Sequence, residues 1–353
     1  MTDSPTPPPA APPPGGAVER AGGPTPAASD RDARPVVPAA SDRDTRPVVP
    51  AASDRDMRLA VPVAVALVTL VVVGLIWVPP VFVGVVVLGV VVGMAELHRA
   101  FRDHAGIKTA IFPATVGAAL TVAAAGVLVV FEDLGPDISG QVFCADEFFG
   151  LLCRSELVSG QRGAAFGVVV LGLTLTAAFC LVWLMRRGVE GYARAAAATV
   201  FILVYPGLFC ATFVLMLGGP HGSAGVALFV IAVVGCDTGG HAVGVRHGKH
   251  KMAPKLSPKK SWEGVAGSLV LAPLAGLVVA AIALDTVWWR VVVVCEIAAV
   301  VGILGDLVES AVKRDLGIKD LGSVIPGHGG VMDRVDSYLV AAPFAWVATT
   351  LLL

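Results

Sequence analysis

The sequence is poor in charge. Only 15% of its 353 residues are Asp, Glu, Lys or Arg, while 56% are hydrophobic and the mean hydropathy is +0.79. Soluble domains carry roughly 25% charged residues, so this balance excludes an ordinary soluble domain and marks an integral membrane protein. The formal net charge of -1 excludes no class of partner, because the charges are segregated along the chain and local signs outweigh their sum. Residues 1–57 have almost no large apolar side chains, which excludes a packed core there. They also lack the order of basic residues, apolar core and small-residue cleavage site that defines a signal peptide.

What the tail does contain is proline, alanine, glycine and a repeat. SDRDARPVVPAA, SDRDTRPVVPAA and SDRDMR begin at Ser29, Ser41 and Ser53, a period of twelve. Each copy is too short, polar and proline-rich to stack as a solenoid, so the expectation is a disordered, extended linker.

From Arg58 onward the chain is dominated by apolar runs, over 58–78, 81–97, 109–131, 164–185, 194–217, 224–245, 264–285, 288–305 and 337–353. At 1.5 Å per residue these can cross a hydrocarbon layer of about 30 Å, with the second, eighth and ninth on the short side. The expected fold is all-α, a polytopic transmembrane bundle of about nine helices with a disordered N-terminal tail. It divides into N-terminal membrane helices (58–230) and a C-terminal catalytic region with cytoplasmic loops (231–353). Arg55, Arg58, Arg99, Arg102, Lys108, Arg186, Arg187 and the lysines of 249–260 and 313–319 then fall on one side. That bias puts the N-terminus and these loops in the cytoplasm and the protein in the plasma membrane. Cys144 and Cys153 share the acidic loop 132–163 on the opposite side, where a disulfide or two free thiols are both open readings. Cys180, Cys210, Cys236 and Cys295 lie in apolar runs and read as small buried hydrophobes.

The least membrane-like stretch beyond the tail is GDLVESAVKRDLGIKDLGSVIPGHGGVMDRVDS, from Gly305 to Ser337. Ionisable groups this dense are costly beside lipid and signal function. On a helix continuing the eighth run, Asp306, Glu309 and Lys313 are spaced i, i+3, i+7 and share a face. Asp333 and Asp336 are spaced i, i+3 at the start of the ninth. If the two helix ends meet, Asp306 and Asp333 come together and call for a divalent cation between them. Mg²⁺ suits such hard oxygen ligands. The stretch has no cysteine and a single histidine, His328, which argues against zinc. Gly327, Gly329 and Gly330 form a tight turn around His328, whose role as phosphate contact, base or orienting group stays open.

A second segment, CDTGGHAVGVRHGKHKMAPKLSPKKSWEG (236–264), starts inside an apolar run with Asp237 and leaves it through a basic stretch. Arg, Lys and His beside glycines suit a polyphosphate, since glycines let backbone N–H groups approach it. A topology signal touching anionic headgroups is the plainer reading. Asp237 calls for a lysine partner or a metal. Together the two segments point to phosphoryl or nucleotidyl transfer at the cytoplasmic face. A transporter would place ionisable residues deep in several other helices, and 58–230 has few.

The run Ser310-x-Val312-Lys313-Arg314-x₄-Lys319-Asp320-x-Gly322-x₂-Ile325-Pro326-x-His328-Gly329-Gly330-Val331-x-Asp333-Arg334-Val335-Asp336 resembles the signature of the phosphatidate cytidylyltransferases, or CDP-diglyceride synthases. SPKKSWEG (257–264) resembles that family's second conserved stretch, with Ser261 in place of the usual threonine. The resemblance implies an Mg²⁺-dependent membrane enzyme, with a monovalent cation such as K⁺ alongside. Such an enzyme joins CTP to phosphatidic acid and releases CDP-diacylglycerol and pyrophosphate. It also implies a homodimer in membrane lipid; no nucleic-acid partner is expected. Asp306 and Asp333 would hold the metal, with Asp237 as a further candidate. Lys313, Arg314, Lys319, Asp320, His328, Arg334 and Asp336 complete the expected catalytic set. Lys255, Ser257, Lys259, Lys260, Ser261, Glu263, Ser310, Gly329 and Gly330 are expected to bind substrate. A CTP-using transferase acting on another lipid phosphate or alcohol would carry the same motif.

Overall fold

The computed structural model describes residues 69–131, 160–322 and 329–353. The repeated tail, most of the first expected span, the loop with Cys144 and Cys153, and His328 lie outside the described residues. Residues 69–76, at the end of that first span, are helical.

Among the described residues, eight helices are long and apolar enough to cross a membrane. They are α1 (Pro79–Ala105), α2 (Ile111–Val130), α3 (Gly160–Met185), a composite of α4 (Tyr192–Ile202) and α5 (Phe209–Leu217), α6 (Gly222–His247), α7 (Trp262–Ala283), α8 (Trp288–Asp315) and α9 (Met332–Leu352). These match the last eight expected spans. The composite stays continuous through a π-helical segment, Leu203–Leu208, that contains Pro206. Proline lacks the N–H that an α-helical turn would use, and the wider turn accommodates the loss.

Each boundary has a local cause. Pro79 and Pro80 open α1, where missing N–H groups cost nothing. Gly106, at φ 66°, closes it in a left-handed turn that β-carbons disfavour. On α3, Leu171, Leu175, Phe179 and Val182 form a stripe whose members are each more than half exposed. An apolar stripe turned outward is penalised by water and welcomed by hydrocarbon, so this is a multi-pass membrane protein.

Small residues bring the helices together. A β-carbon on Gly117 would meet Thr176, and one on Gly172 would meet Thr121, so α2 and α3 interlock reciprocally. Both threonine hydroxyls donate to carbonyls one turn back, at 2.7 Å, so neither is left bare. At α6 and α7 the fit is backbone to backbone, since a β-carbon on Gly239 would meet the Gly267 carbonyl. Gly239, Gly240 and Gly264 therefore serve helix packing, the close approach that small residues permit in membranes.

The basic segment between α6 and α7 is not purely helical or irregular. It folds into an antiparallel hairpin of β1 (Lys251–Ala253) and β2 (Ser257–Ser261), in register Lys251 to Ser261 and Ala253 to Ser257 with an irregularity between.

Candidate active site

The α6–α7 hairpin, the C-terminal end of α8 and the N-terminal end of α9 converge at one end of the bundle. Lys260 on β2 reaches α8, where its Nζ lies 2.7 Å from Asp306 Oδ2 and donates to the Ile303 carbonyl at 3.0 Å. Arg314, further along α8, donates to the Leu256 carbonyl at the hairpin turn and to the Ile318 carbonyl, both at 3.5 Å.

α8 runs unbroken to Asp315, which gives Asp306, Glu309 and Lys313 the shared stripe that their spacing predicts. Ser310 Oγ donates to Asp306 Oδ1 at 3.4 Å. Lys313 Nζ lies 3.0 Å from both Glu309 Oε1 and Asp333 Oδ1, so one ammonium ties α8 to α9. The triad is enclosed, with side-chain exposures of 14% for Lys313, 1% for Glu309 and 4% for Asp333. Glu309 Oε2 is buried without a hydrogen-bond partner among the described residues. Asp333 also accepts N–H bonds from Leu321 (3.1 and 3.0 Å) and Gly330 (2.9 Å), drawing these two residues onto the first turn of α9. Gly329, at φ 83°, supplies the left-handed turn this approach needs.

Asp306 has other carboxylates for neighbours: Asp237 on α6 and Asp336 on α9 both lie within its electrostatic reach. α8 and α9 touch there, since a β-carbon on Gly305 would sit 2.9 Å from the Asp336 carbonyl oxygen. Asp306 and Asp333, expected as a pair, are thus each matched to a lysine of their own, Lys260 and Lys313. No three His, Cys, Asp or Glu side chains form a ready-made metal group among the described residues. The donor set nevertheless fits Mg²⁺. It is all hard oxygen, crowded with like charge, and Asp306 holds a cation already in the form of Lys260.

The remaining expected residues are distributed around this centre. Lys255 and Lys259 are exposed on the hairpin, Ser257 is half-buried, Lys319 and Asp320 are exposed beyond α8, and Arg334 is exposed on the first turn of α9. Glu263 bonds to His250, through its ring nitrogen at 2.6 Å and its N–H at 3.2 Å. Ser261 has a structural role of its own. It is 3% exposed, and its hydroxyl accepts the Gly264 N–H at 3.2 Å as the N-cap of α7.

Glu96, on α1, joins this region without being among the expected residues. Its carboxylate accepts the N–H groups of Val331 and Met332 at the start of α9. The signal was available, because a glutamate inside an apolar run is as costly as the aspartate at 237.

A model of the cytidylyltransferase family matches residues 58–352. A phosphatidate cytidylyltransferase of Mycobacterium bovis is 47% identical over 161 residues, covering 46% of this chain and 53% of that protein. That of Mycobacterium leprae is 46% identical over 164 residues, with shares of 46% and 53%. A Brucella suis protein of the same name is 34% identical over 198 residues, with shares of 56% and 70%. The chain thus spans about half the length of the mycobacterial relatives it matches.

Proposed function

The chain belongs to the cytidylyltransferase family, and from that premise we propose that it transfers CMP from CTP to phosphatidic acid, giving CDP-diacylglycerol and pyrophosphate. The observation that carries this reading is the meeting of carboxylates and ammonium groups where α8, α9 and the hairpin converge. An end of a membrane bundle is where a soluble nucleotide and a lipid headgroup can both arrive.

In the reaction a phosphate oxygen of the lipid attacks the α-phosphorus of CTP, and the bond to the bridging oxygen breaks as pyrophosphate leaves with its electron pair. A phosphate monoester is largely ionised near neutral pH, so no strong general base is required. Lys260, Arg314 and the exposed Lys255 and Lys259 neutralise the triphosphate and the developing charge on the leaving group. Lys313, held by Glu309 and Asp333, fixes α8 against α9 and so orients the site. Asp306, with Asp237 and Asp336 within its electrostatic reach, would hold Mg²⁺, with a monovalent cation balancing the remaining charge, while Asp333 keeps Lys313 in place beside it. When bound there, Mg²⁺ supplies Lewis-acid stabilisation of the phosphate oxygens. The site faces the cytoplasm in this reading, where CTP is found, and the N-terminus lies on the same side.

The test is an assay of purified protein in detergent with labelled CTP, Mg²⁺ and phosphatidic acid. Labelled CDP-diacylglycerol and an equal amount of pyrophosphate are expected. No lipid-linked CDP across a range of detergents and metal concentrations would remove the proposal.

A further inference from the structure

Glu96 sits in an otherwise apolar turn of α1 and is 1% exposed. Its Oε1 accepts the Val331 N–H at 3.0 Å and its Oε2 the Met332 N–H at 2.9 Å, across 235 and 236 positions of sequence. These donors lie at the start of α9, where a helix cannot satisfy its own N–H groups and where its dipole favours negative charge. The fit around the carboxylate is tight on both sides. A β-carbon on Gly322 would lie 2.5 Å from Oε1, and one on Gly330 would lie 2.7 Å from Oε2. One turn earlier on α1, Gly93 leaves the space that Met332 fills, since a β-carbon there would lie 2.7 Å from its Sδ.

Leu321 and the residues from Gly330 to Met332 are therefore gripped by two carboxylates. Asp333 holds Leu321 and Gly330 from within α9, and Glu96 holds Val331 and Met332 from α1. Asp333 follows directly on the pair that Glu96 binds, and it is the residue that receives Lys313. We propose that Glu96 is a positioning residue of the transferase site. It touches no substrate, but it sets the first turn of α9 so that Asp333 meets Lys313 and Gly322 and Gly330 keep their place. This makes the N-terminal half of the membrane bundle part of the catalytic apparatus, and it rests on the activity proposed above.

The experiment compares full-length wild type with Glu96→Gln, which keeps the shape but sets an amide N–H₂ against one of the two N–H donors. Loss of one charge-assisted bond is expected to lower kcat by about tenfold or more. KM for CTP should stay within about threefold, as a group remote from the nucleotide predicts. A merely structural role would reduce the folded fraction and leave kcat per folded molecule unchanged. Gly322→Ala, alone and with Glu96→Asp, gives an independent readout. The alanine should lower kcat by collision with the carboxylate, and shortening the acid should restore it several-fold. Amide hydrogen exchange at Val331 and Met332 should be faster in Glu96→Gln, and it reads the anchor without using activity. Wild-type kcat in Glu96→Gln overturns the inference, as does a double variant no better than Gly322→Ala alone. An inactive wild type with faster exchange in the variant would sink the proposed activity and leave the anchor standing.

Discussion

Replacing Lys313 with methionine keeps much of the side chain's length and removes the ammonium that Glu309 and Asp333 share at 3.0 Å each. The carboxylates are 1% and 4% exposed, so water cannot take over the lost charge. Breaking a buried ion pair from one side costs about 3–5 kcal/mol, most of it the penalty of the charge left behind. The expected loss therefore falls within that range. An exposed pair of the same geometry would be worth about 0–1 kcal/mol. The difference separates the two cases cleanly by SDS titration of the protein in mild detergent. Adding Glu309→Gln to Lys313→Met should recover about 1–2 kcal/mol, because it removes one of the two buried acids that lose their shared partner. Acid pH should narrow the gap to wild type, since protonating a carboxylate left without its lysine removes the uncompensated charge. A Lys313→Met protein within about 0.5 kcal/mol of wild type would refute the burial argument on which the α8–α9 link depends.

Asp306→Asn and Asp333→Asn should each lower turnover by more than about a hundredfold with normal yield of folded protein; substantial activity in either would refute its place in the site. Ser261→Ala should cost about 1 kcal/mol of stability as a lost helix cap and leave KM for CTP unchanged. A raised KM would return Ser261 to the substrate. Deleting residues 1–50 should leave the specific activity intact, and an inactive but folded truncation would show that the repeated tail takes part in catalysis.

The membrane spans were legible because apolar length is a one-dimensional property, and eight of the expected runs correspond to helices. α8 continues past its apolar part to Asp315, the condition on which the spacing of Asp306, Glu309 and Lys313 puts them on one face. The partners of each carboxylate were not legible. Which acids become neighbours depends on how each helix is rotated about its axis. At α8 and α9 that rotation is set by Gly302 and Gly305 lying against Ser337 and Asp336. The hairpin was hidden for a related reason. A lysine-rich strand with Pro258 has weak β preference, and the ion pair of Lys260 with Asp306 docks it against α8. Gly239 and Gly240 were ambiguous in principle, because a glycine that admits a phosphate looks the same in sequence as one that admits another helix.

The contact between Lys260 and Asp306 means that each group masks the other. A polyanion that draws the ammonium toward itself uncovers the carboxylate, and a cation that settles on the carboxylate liberates the ammonium. Two visitors of opposite sign would therefore assist one another's arrival, whereas either alone would have to break the pair unaided.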